Sequence, residues 1–109
     1  MHELGLMQHI IETCRAEARG ARVELITVEV GTLSGVMPEA LAFCFELCVE
    51  DTPLAGARLQ LVRTPGRARC RACGAEFELN DLLQGCDCGS YHLAITAGQE
   101  LRIKQMEVA

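Results

Sequence analysis

Four of the seven cysteines in this 109-residue chain fall within a stretch of nineteen residues. They form two close groups, a Cys-x-x-Cys-Gly sequence at 70–74 and a Cys-x-Cys-Gly sequence at 86–89. Two short turns that each present two thiolates suit the tetrahedral coordination of Zn²⁺, and four protein ligands leave no open position for a catalytic water. The spacing therefore predicts one structural zinc site, Zn(II) on Cys70, Cys73, Cys86 and Cys88.

The same cysteines could instead form disulfides or bind iron, and the cellular compartment bears on which of these is favoured. The N-terminus lacks the positive charge and apolar core of a signal peptide, so we expect a cytoplasmic protein whose thiols stay reduced. Disulfides are therefore disfavoured, whereas an Fe–S or rubredoxin-type iron site would use the same ligands and stays open. The spacing of Cys86 and Cys88 requires a tight turn, and His92 is the nearest substitute ligand if Cys86 cannot reach the metal.

Hydrophobic periodicity predicts the rest of the fold. It indicates helices at 3–19 and from Pro38 to about Glu50, and strands at 22–30, 58–63 and 101–108. The apolar stripe of the first helix consists of Leu4, Met7, Ile11, Cys14 and Ala18, and that of the second of Leu41, Cys44, Phe45 and Cys48. In the last strand the apolar phase reverses, which predicts a β-bulge near Lys104 and Gln105.

These elements predict an α+β fold, in which a small three-stranded sheet carries two helices on one face. Thr64-Pro65-Gly66 breaks the chain sharply before the clustered cysteines. We therefore expect an α/β body at 1–64 and 97–109, interrupted by an inserted zinc-ribbon-like module at 65–96. The module has so few large apolar side chains that metal binding should supply its stability.

Charge and motifs exclude several classes of function. The net charge is −5, which argues against nucleic acid and anionic membranes as partners because both are polyanions. No apolar run approaches the roughly 20 residues that span a bilayer. There is no nucleophile–base pair, phosphate-binding loop or recognisable pair of catalytic carboxylates, so we predict that the protein is not an enzyme.

The N-terminus offers a second metal site. In Met1-His2-Glu3 the terminal amine of Met1, the amide of His2 and the His2 imidazole can form one chelate, and the Glu3 amide can supply a fourth nitrogen. Near-planar nitrogen ligands favour Ni²⁺ and Cu²⁺ over Zn²⁺. Alone this signal is weak, because an early histidine is usually a solvated side chain, as we expect for His9. Cys14, Cys44 and Cys48 are expected to pack in the core.

Several segments together resemble one protein family. They are Met1-His2-Glu3-Leu4, Ala42-Phe43-Cys44-Phe45, the Cys70-x-x-Cys73-Gly74 turn, Cys88-Gly89-Ser90 and Gly98-x-Glu100-Leu101-Arg102-Ile103. In this order they resemble the HypA/HybF family of hydrogenase-maturation nickel metallochaperones across nearly the whole chain. The departure is the second cysteine pair, which in the family is usually Cys-Pro-x-Cys, so Cys86 is the member in doubt.

The resemblance implies a nickel chaperone with a structural zinc. Ni(II) would be a transient cargo held by His2 with backbone nitrogens of Met1 and Glu3, and the four clustered cysteines would hold zinc. Implied partners are a GTPase that inserts nickel, the large subunit of [NiFe] hydrogenase and possible urease-maturation proteins, with the chain as a monomer or weak homodimer. The rival hypothesis is a zinc-ribbon adaptor that binds other proteins and never handles nickel.

Overall fold

The computed structural model describes residues 3–109. Within them lie two helices and six strands: α1 (Glu3–Ala18), β1 (Val23–Gly31), α2 (Pro38–Cys48), β2 (Arg58–Thr64), β3 (Arg67–Cys70), β4 (Glu76–Glu78), β5 (Leu93–Ala97) and β6 (Leu101–Val108). Every helix and strand predicted from periodicity is present. Neither of these helices combines the length and hydrophobicity needed to cross a bilayer.

The first sheet has the strand order β2-β1-β6. Strand β1 pairs in parallel with β2 and antiparallel with β6. A parallel pair requires a crossover connection, which α2 supplies between β1 and β2. Pro38 begins α2, where a missing N–H costs no intrahelical hydrogen bond. The predicted three-stranded sheet with two helices is confirmed.

The predicted irregularity in the last strand is also confirmed. Thr27 of β1 pairs with Gln105, whereas the next residue, Val28, pairs with Ile103. Lys104 is therefore the extra residue of a β-bulge. The bulge restores the inward phase, so that Met106 and Ile103 both pack against the core.

The main core lies between this sheet and the two helices. Its central layer is the buried face of β1, formed by Ile26, Val28 and Val30, which α1 and α2 cover. One member of the predicted α1 stripe is wrong, because Leu4 is 43% exposed. Leu4 lies in the first turn, at the end of the helix, where the core beneath it ends. Ile10 is buried instead, which shifts the buried stripe to one side.

The second sheet has the order β4-β3-β5 and is antiparallel throughout. Its small core contains Ala68 and Leu79, with Phe77, Leu93 and Ile95 packed around them. A third buried member, Leu33, comes from the loop after β1. Through this contact, which was not predicted from the sequence, the body contributes a side chain to the core of the cysteine-bearing sheet.

Three glycines allow the backbones of the two sheets to approach closely. A Cβ atom on Gly31 would lie 2.0 Å from the carbonyl oxygen of Gly98, and one on Gly98 would lie 2.5 Å from Cα of Gly66. The Leu33 amide donates to the Gly98 carbonyl at 2.7 Å, and the Leu79 amide donates to the Gly66 carbonyl at 2.8 Å. At this glycine junction, which consists of Gly31, Gly66 and Gly98, the backbones lie too close together for a side chain to fit between them. The close approach holds Leu33 in its pocket in the second sheet.

We predict that Gly98→Ala destabilises the protein by roughly 3 kcal/mol. The φ angle of Gly98 is +104°, which costs an L-residue about 1–2 kcal/mol, and overpacking against Gly66 adds about 1–3 kcal/mol. Gly20→Ala is the matched control, since Gly20 has φ +86° but no atom within 4 Å of an added Cβ. It should cost only about 1 kcal/mol. Equal midpoint shifts in urea denaturation would contradict the close approach.

A carboxylate completes the junction. The amide of Gly98 donates to Oε1 of Glu100 at 2.5 Å. This hydrogen bond, together with the amides of Gln99 and Glu100 and the charge of Arg102, outweighs burial and lowers the pKa of Glu100 below its ordinary 4.5. A carboxylate that caps consecutive amides holds the turn between β5 and β6 in place.

The lowered pKa predicts how stability depends on pH. Because the folded pKa of Glu100 lies below its ordinary 4.5, its stabilisation is complete above that value and is lost as pH falls through the folded pKa. Glu100→Gln should lower the melting temperature at pH 7. The difference in melting temperature between the variant and wild type should shrink as pH falls and vanish in strong acid. Thermal melts from pH 7 to pH 3 measure this, and a constant difference across that range would contradict it.

Candidate metal centre

The structure brings the four clustered cysteines together at one end of the second sheet. The sulfur atoms of Cys70 and Cys88 are 3.7 Å apart, and those of Cys73 and Cys86 are 3.6 Å apart. All four sulfurs lie within 4.8 Å of one another. A zinc tetrathiolate with Zn–S bonds near 2.3 Å has sulfur–sulfur edges of about 3.8 Å. The donor atoms and their spacing therefore fit a tetrahedral Zn²⁺ ion.

The two cysteine turns have different lengths and reach the same point. In the first turn the amide of Gly74 donates to the carbonyl of Cys70, four residues earlier, at 2.9 Å. In the second, the amide of Gly89 donates to the carbonyl of Cys86, only three residues earlier, at 2.9 Å. Both glycines have positive φ, which glycine adopts without strain. The shorter hydrogen-bonded ring accommodates the missing residue of the Cys-x-Cys pair.

His92 is not part of the cluster. Its side chain is exposed, and the four sulfurs gather without it. Its backbone has a different role, since the carbonyl of His92 accepts a hydrogen bond from the amide of Arg71 at 2.9 Å. That bond ties the first cysteine turn to the start of β5. Cys86, and not His92, therefore supplies the fourth donor atom of the cluster.

The first turn stabilises a thiolate. The amide of Cys73 donates to the Cys70 sulfur, and with the amide of Ala72 and the neighbouring thiols it outweighs burial, lowering the pKa of Cys70 to about 6. For Cys86 the amide of Cys88 acts in the same direction, but burial and the three neighbouring thiols raise its pKa to about 12. Four thiols this close cannot all ionise unless a cation joins them, and the thiolate is the form that binds metal.

Each of the two turns has one buried and one exposed cysteine. Cys70 and Cys86 are buried, whereas Cys73 and Cys88 are exposed. Four sulfurs around one centre leave no open coordination position, which is typical of a structural site. The amide donors beneath Cys70 were not predicted, although the Cys-x-x-Cys-Gly spacing is a signal for them.

The remaining candidate residues fall as follows. Cys14 is 1% exposed and belongs to the main core, as predicted. Cys44 and Cys48 are half-buried and pack against that core, and among residues 3–109 they do not gather with a third metal-ligating side chain. His9 is exposed. Met1 and His2 lie outside the described residues.

Glu3, the third member of the predicted nickel site, is the first residue of α1. Its Oε2 accepts a hydrogen bond from the amide of Met37 at 3.3 Å. This contact places the start of α1 beside the loop that leads into α2. The same loop, residues 32–37, carries Leu33 into the second sheet.

Fold and site together define a small metal-binding protein, in which an α/β body carries a four-thiol module. The family model described as hydrogenase/urease nickel incorporation metallochaperone, HypA, matches residues 1–108. The chain therefore belongs to the HypA family, a family of metallochaperones and maturation factors for nickel enzymes.

Individual relatives agree with this assignment. The protein named hydrogenase maturation factor HypA from Geobacter metallireducens is 47% identical over 109 residues, which cover 99% of each chain. The protein of the same name from Crocosphaera subtropica is 49% identical over 109 residues, covering 99% of this chain and 96% of its own. The solution structure of the Ni metallochaperone HypA from Helicobacter pylori has a TM-score of 0.70 at 27% identity, covering 99% of this chain and 97% of its own.

Proposed function

We propose that this chain binds Ni²⁺ at its N-terminus as transient cargo and delivers it for the maturation of [NiFe] hydrogenase. The observation that carries the proposal is the family match, which extends over residues 1–108 and so includes the Met1-His2-Glu3 sequence. The ligands are the amine of Met1, the amide and imidazole of His2, and the amide of Glu3. We place the chain in the cytoplasm as a monomer or weak homodimer.

Zinc on Cys70, Cys73, Cys86 and Cys88 is the structural cofactor in this proposal. The sulfur–sulfur distances of 3.6 and 3.7 Å support it, as does the closed coordination that four thiolates provide. A structural ion stays bound while the cargo exchanges, so the two metals have separate roles. Any catalysis, including GTP hydrolysis, belongs to the partner proteins.

The chemistry of the N-terminal chelate suits transfer. Nitrogen ligands that come from one short segment of the chain can be exchanged one at a time for those of a receiving site. Because the imidazole and amides must lose protons to bind, nickel affinity should fall as pH drops through the histidine range. Cu²⁺ would bind such ligands more tightly, so selection of nickel depends on cellular supply. The receiving partners are a nickel-inserting GTPase and the hydrogenase large subunit, with urease-maturation proteins as a further client.

A nickel titration of the untagged protein tests the proposal. Calorimetry at pH 7.5 should show one Ni²⁺ ion bound per chain. The same protein with extra residues before Met1 is the control, because the extension removes the free amine and should abolish that binding while zinc content stays unchanged. If the untagged protein ignores Ni²⁺, the delivery function is wrong and a zinc-stabilised adaptor remains.

A further inference from the structure

Two large apolar side chains on α2 face solvent. Phe43 is 63% exposed and Leu47 is 56% exposed. They are four residues apart, so they lie on one stripe of the helix. The opposite stripe carries Leu41 and Phe45, which are buried in the main core. The apolar exposure of Phe43 and Leu47, here called the α2 ridge, is therefore not needed to hold α2 on the body.

A row of carboxylates runs beside the ridge. At 3.6 residues per turn, Glu39 and Glu46 fall next to one another on one flank of α2. Glu50 follows in the turn just after the helix, and all three side chains are exposed. None of them forms an ion pair with another residue of the described chain. Residues 23–57 contain no Lys, Arg or His. The acidic row is therefore a negative edge along an apolar stripe, and the nearest cation in the sequence is Arg58 of β2.

A groove follows on the far side of the acidic row. It lies between α2 and the outer strand β2 and has a volume of about 530 Å³. Its lining includes the apolar residues Ala42, Phe45, Val49, Ala57 and Leu59, together with the charged residues Glu46 and Arg58. The α2 ridge, the acidic row and the groove form one continuous face, and the groove has the volume to receive a side chain.

We propose that this face docks a basic amphipathic helix of a partner protein. Apolar side chains of that helix would cover the α2 ridge, while its Lys or Arg residues would meet the acidic row. A second copy of this chain fits less well, because α2 has no basic residue to offer and would bring a second row of carboxylates. Anionic lipid and nucleic acid are opposed by the same charges. The proposal needs neither nickel nor zinc ligands and does not depend on the proposed function.

Synthetic helices test the proposal directly. One fluorescein-labelled peptide has Leu at helical positions i, i+3, i+4 and i+7 with Lys on the flanks, and a second replaces each Lys with Glu. Fluorescence anisotropy with the full-length, zinc-loaded protein should show the Lys peptide binding at least about tenfold more tightly. The double variant Phe43→Ser with Leu47→Ser should weaken that binding by about tenfold or more.

Matched variants separate this face from general stickiness. Leu82 and Leu83 are 61% and 87% exposed in the second sheet's loop, so Leu82→Ser with Leu83→Ser removes as much exposed apolar surface elsewhere and should leave binding unchanged. Replacing Glu39, Glu46 and Glu50 with Gln should reduce the salt dependence of binding of the Lys peptide. Thermal melts check that each variant is folded.

Two results would overturn the proposal. In the first, the Lys peptide binds the Phe43→Ser, Leu47→Ser variant as tightly as it binds wild type. In the second, sedimentation equilibrium shows a dimer that this same variant dissociates, which would make a second copy the occupant of the face.

Discussion

Chelation of zinc should unfold residues 67–92 while α1, α2 and the β2-β1-β6 sheet stay folded. The buried core of the second sheet is small, with Ala68 and Leu79 joined by Leu33 from the body. Such a core falls well short of the ordering entropy of a segment this long. A structural zinc ion contributes about 10–16 kcal/mol in small modules, which is enough to decide whether the segment folds.

The α/β body should stay folded without zinc because it has a hydrophobic core of its own. Its core is built from α1, α2, β1 and the residues around them, and the hydrophobic cluster there contains no residue of 65–96. We propose on this basis that 65–96 is a separate folding unit and that 1–64 with 97–109 is the other. The exception is Leu33, which should become exposed when its pocket in the second sheet is lost.

Amide-resolved NMR during chelation measures the outcome. Signals of 67–92 should collapse to random-coil positions, whereas those of β1 and α2 should persist. Cys73→Ala should have the same effect without a chelator, because it removes one ligand. Cys44→Ala is the matched control, since Cys44 is half-buried outside the cluster, and it should keep both zinc and fold. A single cooperative loss of all helix and sheet signals would show that the two units do not fold separately.

The parts of the fold that the sequence predicted are those with long periodic patterns. The helices and the three longer strands each place several apolar residues on one face, and the phase reversal near Lys104 was sufficient to locate a bulge. Strands β3 to β5 span only three to five residues each, which is too short for periodicity to register. The docking of Leu33 is a contact between segments distant in sequence, and no local pattern encodes it.

The metal centre was predictable because its chemistry is local. Two turns of fixed spacing carry all four thiols, so residue identity alone indicates the ligand set. The spacing did not settle whether the Cys86 sulfur could reach the other three. Its carbonyl accepts a bond from the Gly89 amide at 2.9 Å, a turn that depends on a positive φ at that glycine. The nickel ligands Met1 and His2 stay a prediction, because they lie outside the described residues.

His2→Ala should abolish stoichiometric binding of Ni²⁺ and leave zinc content unchanged. The imidazole of His2 closes the chelate with the terminal amine and the intervening amide, and without it the remaining nitrogens cannot hold the ion in a near-planar site. The zinc ligands lie more than sixty residues later in the chain, and the backbone hydrogen bonds of their turns join residues within 70–92. Nickel and zinc should therefore respond independently to this substitution.

His9→Ala and His92→Ala are the controls that make the test specific. Both side chains are exposed, so each variant removes one accessible imidazole without disturbing the core. If the chelate is N-terminal, both should bind one Ni²⁺ with wild-type affinity in calorimetry, whereas His2→Ala should show no saturable heat. A loss caused by His9→Ala would place the nickel on the surface of α1, and a loss caused by His92→Ala would place it on the zinc module. Unaltered titration of His2→Ala would reject the N-terminal site, because no other group in Met1-His2-Glu3 offers an imidazole.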